Sequence, residues 1–112
     1  MDTYQSALAL DALGDPTRRA ILELLRDGPR PVGELAGALP VSRPAVSQHL
    51  AVLKAAGLVA DRAAGRRRLY AVDPAGPDAL RAYLEGLWGQ ALANYARAAE
   101  GGTEETEEKG ER

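Results

Sequence analysis

Arg66, Arg67 and Arg68 stand in a row after Ala64-Gly65, and upstream of them lie Ser42-Arg43-Pro44, Ser47 and Gln48. These side chains share one chemistry. Guanidinium groups bind phosphate, while Ser, Gln and Arg hydrogen-bond to base edges. Bond-making chemistry is poorly provided for. The 112 residues contain no Cys, which removes disulfides, thiolate metal ligands and Cys nucleophiles. His49 is the one histidine, too few for a His-rich metal site or for most triads. With no nucleophile–base pair and no Gly-rich phosphate loop, an enzyme is not expected. No cofactor and no metal site is expected either.

Local charge supports the same reading. Across residues 43–68, six bases (Arg43, Lys54, Arg62, Arg66, Arg67, Arg68) face Asp61 alone, a charge of +5 in a chain of net −2. Local charge, not the total, sets what a surface attracts. Much of the opposing charge lies in Glu100–Arg112, with six acids and two bases. No apolar run reaches the ~18 residues that a membrane span needs. The N-terminus lacks the basic-then-apolar pattern of a signal peptide. A cytoplasmic protein without a membrane partner is the expectation.

The elements that would position these residues follow from periodicity and punctuation. Tyr4, Ala7, Leu8 and Leu13 suggest a first helix closed by Gly14. Asp15-Pro16 reads as N-cap and first turn of a second, with Ala20, Ile21, Leu24 and Leu25 as its apolar stripe, ended by Gly28-Pro29. Val32, Leu35, Ala36 and Leu39 mark a short third helix, although Pro31 stands where a Ser or Thr cap belongs. Ser42 caps a fourth, running to about residue 56, with Pro44 in its first turn. Val46, Leu50 and Leu53 form its buried stripe. Arg43, Ser47, Gln48, Ala51 and Lys54 make up the polar face opposite, and Gly57 ends it.

Residues 58–62 and 67–72 alternate as a β-hairpin whose turn needs the positive φ of Gly65. A last helix runs from about Pro77 to Ala99, roughly 35 Å at 1.5 Å per residue. Gly86 and Gly89 within it each cost about 1 kcal/mol against Ala, so packing must hold it. From Glu100 the chain should be a disordered acidic tail, leaving residues 1–99 as one domain.

Helices followed by an arginine-tipped hairpin make a mainly α fold with a small β-hairpin, in the order α-α-α-α-β-β-α. This is a winged helix-turn-helix. The fourth helix fits the major groove, and the hairpin lies against the phosphate backbone.

Residues 13–73 resemble the ArsR/SmtB family of bacterial regulators. SRPAVSQHLAVLKAAGLV is similar to the family's recognition helix and exit, and GRRRLY to its wing. Asp15-Pro16 with Arg18, Ser42, Ser47, His49-Leu50, Leu58-Val59, Arg67 and Tyr70 fall at the family's spacing. The likeness covers about residues 5–97. It implies a homodimer that represses by sitting on a palindromic DNA operator and dimerises through its first and last helices.

The family's metal sensors carry Cys pairs at about Val32-Gly33-Glu34, or Asp/His sets on the last helix. This chain has no Cys or His at either place, and Asp78 and Glu85 read as solvated. It resembles the metal-independent branch, and a small-molecule effector of unstated identity stays open.

Candidate DNA contacts are therefore Ser42, Arg43, Pro44, Ser47, Gln48, Lys54, Arg62, Arg66, Arg67 and Arg68. Ser42 is equally readable as a cap alone, and at least one of the three wing arginines is expected to turn away or pair with an acid. His49 reads as structural, and Tyr70 as packing the wing on the body. The last helix is too apolar to stand bare. Leu84, Leu87, Trp88, Ala91, Leu92 and Tyr95, with Tyr4 and Leu8, are the expected dimer interface. Trp88, Tyr83 and Tyr95 could instead line an effector pocket. A winged helix that binds proteins without specific DNA binding is the competing reading, but it would need neither a basic wing nor a clean polar face.

Overall fold

The computed structural model describes residues 3–101. Its order is α1 (Thr3–Leu13), α2 (Pro16–Leu24), β1 (Arg30–Pro31), α3 (Val32–Gly37), α4 (Arg43–Ala55), β2 (Val59–Ala64), β3 (Arg67–Val72) and α5 (Ala75–Gly101). The chain divides between Leu80 and Arg81 into two compact units. The first is a winged helix-turn-helix.

Two helix starts follow directly from sequence. The Asp15 carboxylate accepts from the Arg18 N–H at 3.0 Å, with Pro16 following in the first turn. Ser42 Oγ accepts from the Ala45 N–H at 3.3 Å, with Pro44 in the first turn. Each satisfies an N–H that the helix itself cannot. Pro31 precedes α3 with no side-chain cap.

The exit of α4 is closed just as firmly. Gly57 takes φ +79°, its N–H bonds to the Lys54 carbonyl, and the Leu58 N–H reaches back to Leu53 at 2.9 Å. That pair of bonds is a Schellman cap. It turns the chain out of α4 straight into β2.

The core is one cluster. Val46, Leu50 and Leu53 of α4 are fully buried against Ile21 and Leu25, Leu35, and Ala9 and Ala12 of α1, with Ala56, Leu58 and Val59 below. Tyr70, Val72 and Leu80 pack on its margin. The face that α1 buries is its small-residue face. Ser6, Ala9 and Ala12 are buried, whereas Tyr4 and Ala7 are exposed. Small side chains let the helix approach the core closely, and the larger Tyr4 is left outside.

The expected hairpin of β2 and β3 forms, and a third strand joins it. The sheet order is β1-β3-β2, all antiparallel, with Arg30 opposite Tyr70 and Pro31 opposite Leu69. The two-residue β1 was missing from the expected element order. Gly65 turns the hairpin at φ +64°, the position a tight two-residue loop asks of glycine.

Gly14 closes α1 without a positive φ, so it is not a left-handed cap. Helix α5 starts two residues before the expected Pro77 and includes Glu100 and Gly101, which were expected to be disordered. The rest of the acidic tail lies outside the described residues.

Candidate nucleic-acid interface

Helix α4 is pinned by its buried stripe, which leaves Ser42, Arg43, Pro44, Ser47, Gln48, Ala51 and Lys54 exposed. These are the residues expected on the polar face. Ser42 caps the helix through its oxygen and keeps its own O–H as a donor. The two readings of Ser42 are therefore compatible.

The pleat of the wing sorts its arginines. Successive side chains alternate between sheet faces. Val59 and Val72 face the core, so Asp61, Tyr70 and Arg68 share that side. Arg62 and Arg67, opposite Leu69 and Ala64, share the other. Arg66 and Arg67 are exposed at the tip, and among the described residues Arg43, Arg62, Arg66 and Arg67 form no ion pair.

Lys54 and Arg68 are held differently from the others. Lys54 Nζ lies 2.8 Å from Asp61 Oδ1, and Arg68 Nη1 lies 3.1 Å from Asp61 Oδ2. Arg68 is thus the wing arginine that pairs with an acid. Lys54, exposed on the polar face as expected, also links α4 to the wing through this pair. Sequence had registered Asp61 only as a charge. Its alternation with Val59 was the available signal that it faces inward. The hydrogen bond from Lys54, and then the one from Arg68, hold its carboxyl below the usual carboxylate range against the opposing effect of burial.

A second polar knot joins α4 to the α1–α2 corner. Arg18 Nε donates to the Ala12 carbonyl at 2.7 Å, and Arg18 Nη1 lies 3.4 Å from His49 Nδ1. Since a guanidinium only donates, Nδ1 is the acceptor there. The Asp15 carboxylate lies 3.9 Å from the same nitrogen. His49 is thereby structural, its side chain 23% exposed. The Arg18 N–H, and then the nearby charge of Arg18, lower the Asp15 carboxyl below its usual value against the opposing effect of burial.

Depressed carboxyls favour the native state when ionised. The contributions of Asp15 and Asp61 are complete above the usual carboxylate range. They fade as pH falls through the lowered native values.

In the second unit, Leu87, Trp88, Ala91, Leu92 and Tyr95 are exposed, Trp88 by 57% and Tyr95 by 74%, while Tyr83 and Leu84 are half-buried. On α1, Leu8 packs against the core and Tyr4 is exposed. A hollow of about 210 Å³ between α1 and α4 is lined by Leu8, Asp11, Ala12, Arg18, Val52, Ala55 and Ala56, none of them aromatic. Among the described residues no helix is long and apolar enough to cross a membrane, and no group of three or more His, Asp or Glu could hold a metal ion.

A helix with a free polar face beside a basic wing is a shape already known. Residues 15–61 match the model of the bacterial regulatory protein arsR family. The HTH-type transcriptional regulator Rv2034 of Mycobacterium tuberculosis is 60% identical over 98 residues, covering 87% of this chain and 92% of that protein. An ArsR-like transcriptional regulator from Rhodococcus sp. RHA1 superposes with a TM-score of 0.73 at 34% identity, over 86% of this chain and 93% of that one. The homodimeric winged helix-turn-helix DNA-binding domain Mb0332 from Mycobacterium bovis, a possible ArsR-family regulator, gives 0.61 at 34% identity, over 80% of this chain and 79% of that one. These likenesses span both the helical body and the wing, and on them the chain belongs to the ArsR family of bacterial transcriptional regulators.

Proposed function

We propose that this chain is a homodimeric repressor that reads a palindromic operator with α4 and an arginine-tipped wing, and that it does not sense metals. The observation that carries the reading is the exposed Arg43-Ser47-Gln48 face of α4 beside unpaired Arg66 and Arg67. Ser47 and Gln48 reach base edges, Ser42 and Arg43 meet base or phosphate, and Pro44 shapes the first turn. Arg62, Arg66 and Arg67 meet phosphates. Such a dimer silences a promoter by occupying it, in the bacterial cytoplasm where the DNA is.

The homodimeric state of Mb0332 supports pairing, and the exposed apolar stripe of α5 supplies a surface for it. Freedom from metals is supported by the absence of Cys and by the engagement of His49 with Arg18.

Gel shifts with the protein's own upstream region test the proposal. Ser47→Ala and Gln48→Ala should each weaken binding to the specific site by about 5- to 150-fold per half-site, as a base contact is worth ~1–3 kcal/mol, and random DNA should be affected far less. Equal losses on both DNAs would confine this face to phosphates.

Arg67→Ala should do the reverse, weakening all DNA alike and flattening the salt dependence. Each phosphate contact adds about 0.9 to the log–log slope, so a dimer loses about 2. An unchanged slope removes Arg67 from the backbone contacts.

A further inference from the structure

Asp61 is the one acid in the basic segment and the place where that segment's charge is organised. Its side chain is 8% exposed, whereas those of Lys54 and Arg68 are 57% and 54% exposed. Each oxygen has its own cation, at 2.8 Å from α4 and at 3.1 Å from β3. Arg68 and Asp61 are diagonal neighbours on one face of the β2–β3 ladder, since Asp61 opposes Tyr70 and Arg68 opposes Ala63. The clamp therefore ties the end of the recognition helix to both strands of the wing. It also occupies two cations that otherwise stand in solvent beside the DNA-reading face.

We infer that Asp61 is a specificity-determining residue, which holds Lys54 and Arg68 away from unselective phosphate contact and sets the wing's position against α4. The inference rests on the DNA-reading function proposed above. An unsequestered cation binds any phosphate, so it raises affinity for all DNA and carries no sequence information. A wing loosened from α4 also adapts to more than one backbone path. Loss of the carboxylate thus acts twice against discrimination. The ionised state this requires is the one that Lys54 and Arg68 enforce.

The test is salt-dependent binding of the full chain to its own upstream region and to random duplex. With Asp61→Asn, affinity for random DNA should rise, and the log–log salt slope should steepen by about 2 to 4 per dimer as one or both cations per chain are freed. The ratio of specific to random affinity should fall at least about 10-fold. Asp61→Glu, which keeps the charge, should hold the wild-type slope. Adding Lys54→Gln and Arg68→Gln to Asp61→Asn should abolish the steepening.

Asp61→Ser is the second variant should the amide not fold, with circular dichroism as the check. An unchanged slope, a preserved ratio, steepening that survives loss of both cations, or failure of both variants to fold overturns the inference. If the wild type shows no preference for its own upstream region, the proposed operator reading fails instead. The slope on random DNA still tests the clamp.

Discussion

Trp88→Glu should convert the protein to a folded monomer and weaken operator binding by at least about 100-fold, with every candidate DNA contact intact. Trp88 is 57% exposed, and Leu92 and Tyr95 follow it at i+4 and i+7, themselves 63% and 74% exposed. Leu87 adds to the stripe from beside Trp88. That spacing places Trp88, Leu92 and Tyr95 along one side of α5. Large apolar side chains contiguous on a helix surface mark a contact site.

A twofold interface is self-complementary, so a single substitution acts twice. With 57% of its surface open in the protomer, Trp88 can remove about 85–140 Å² more from water, worth roughly 2–4 kcal/mol at ~25 cal/mol per Å². Glu forfeits this and places two carboxylates at the contact.

The DNA consequence follows from linkage. Paired recognition helices reach successive major grooves about 34 Å apart. Once one is seated, the other binds at high effective concentration, a gain of ~10²–10⁴ that monomers lose. Light scattering with gel shifts checks this, and circular dichroism checks the fold, since Trp88 lies outside the core cluster. A wild-type chain that is monomeric at micromolar concentration and still binds tightly would defeat the prediction and the dimer with it.

Gly76→Ala should lower stability by about 1–3 kcal/mol, seen as a melting point reduced by roughly 5–20 °C. A Cβ at Gly76 would sit 2.4 Å from the Gly57 carbonyl oxygen and 3.1 Å from Leu58 Cα. Both are backbone, so no side chain can swing aside. Neither can the backbone retreat freely. Gly57 is fixed in its left-handed cap, Leu58 is bonded through its N–H to Leu53, and its carbonyl accepts from the Asp73 N–H at 2.9 Å. Gly37→Ala is the control, because a Cβ there meets nothing within 4 Å and it lies within α3. It should be neutral or stabilising by up to about 1 kcal/mol. Equal effects of the two substitutions in thermal melts would show that the close approach at Gly76 is relaxed at no cost.

Gly76 also marks where sequence stops being informative. Read along the chain it is one of several punctuating glycines. Its role depends on Gly57 lying against it, which no local pattern encodes. The recognition helix was legible throughout because each of its determinants is local: the Ser42 cap, Pro44, the stripe of Val46, Leu50 and Leu53, and the Gly57 exit. Gly65 was legible for the same reason.

Other features depend on distant partners. The buried face of α1 is built from Ser6, Ala9 and Ala12, whose small side chains carry little hydrophobic signal. Strand β1 is two residues long and contains a proline, so neither period nor propensity marks it. At the candidate interface, residue types placed Ser47, Gln48, Arg66 and Arg67 on exposed surface. That Lys54 and Arg68 converge on Asp61 depends on the register of β2 with β3 and on the angle at which α4 meets them.

The short β1 strand has a consequence for how the protein behaves in a crowded cell. Sheets that end in open strands invite pairing with the edge of another molecule, a route to aggregates. Here one border is only Arg30–Pro31, too short to template a neighbour and, at Pro31, lacking the N–H that such pairing requires. The opposite border, β2, carries Asp61 and Arg62 in mid-strand, charges of the kind that interrupt stacking. The wing can therefore be held out toward a polyanion without becoming a nucleus for fibrils, and the same proline that obscures the strand in the sequence helps to keep the folded protein in solution.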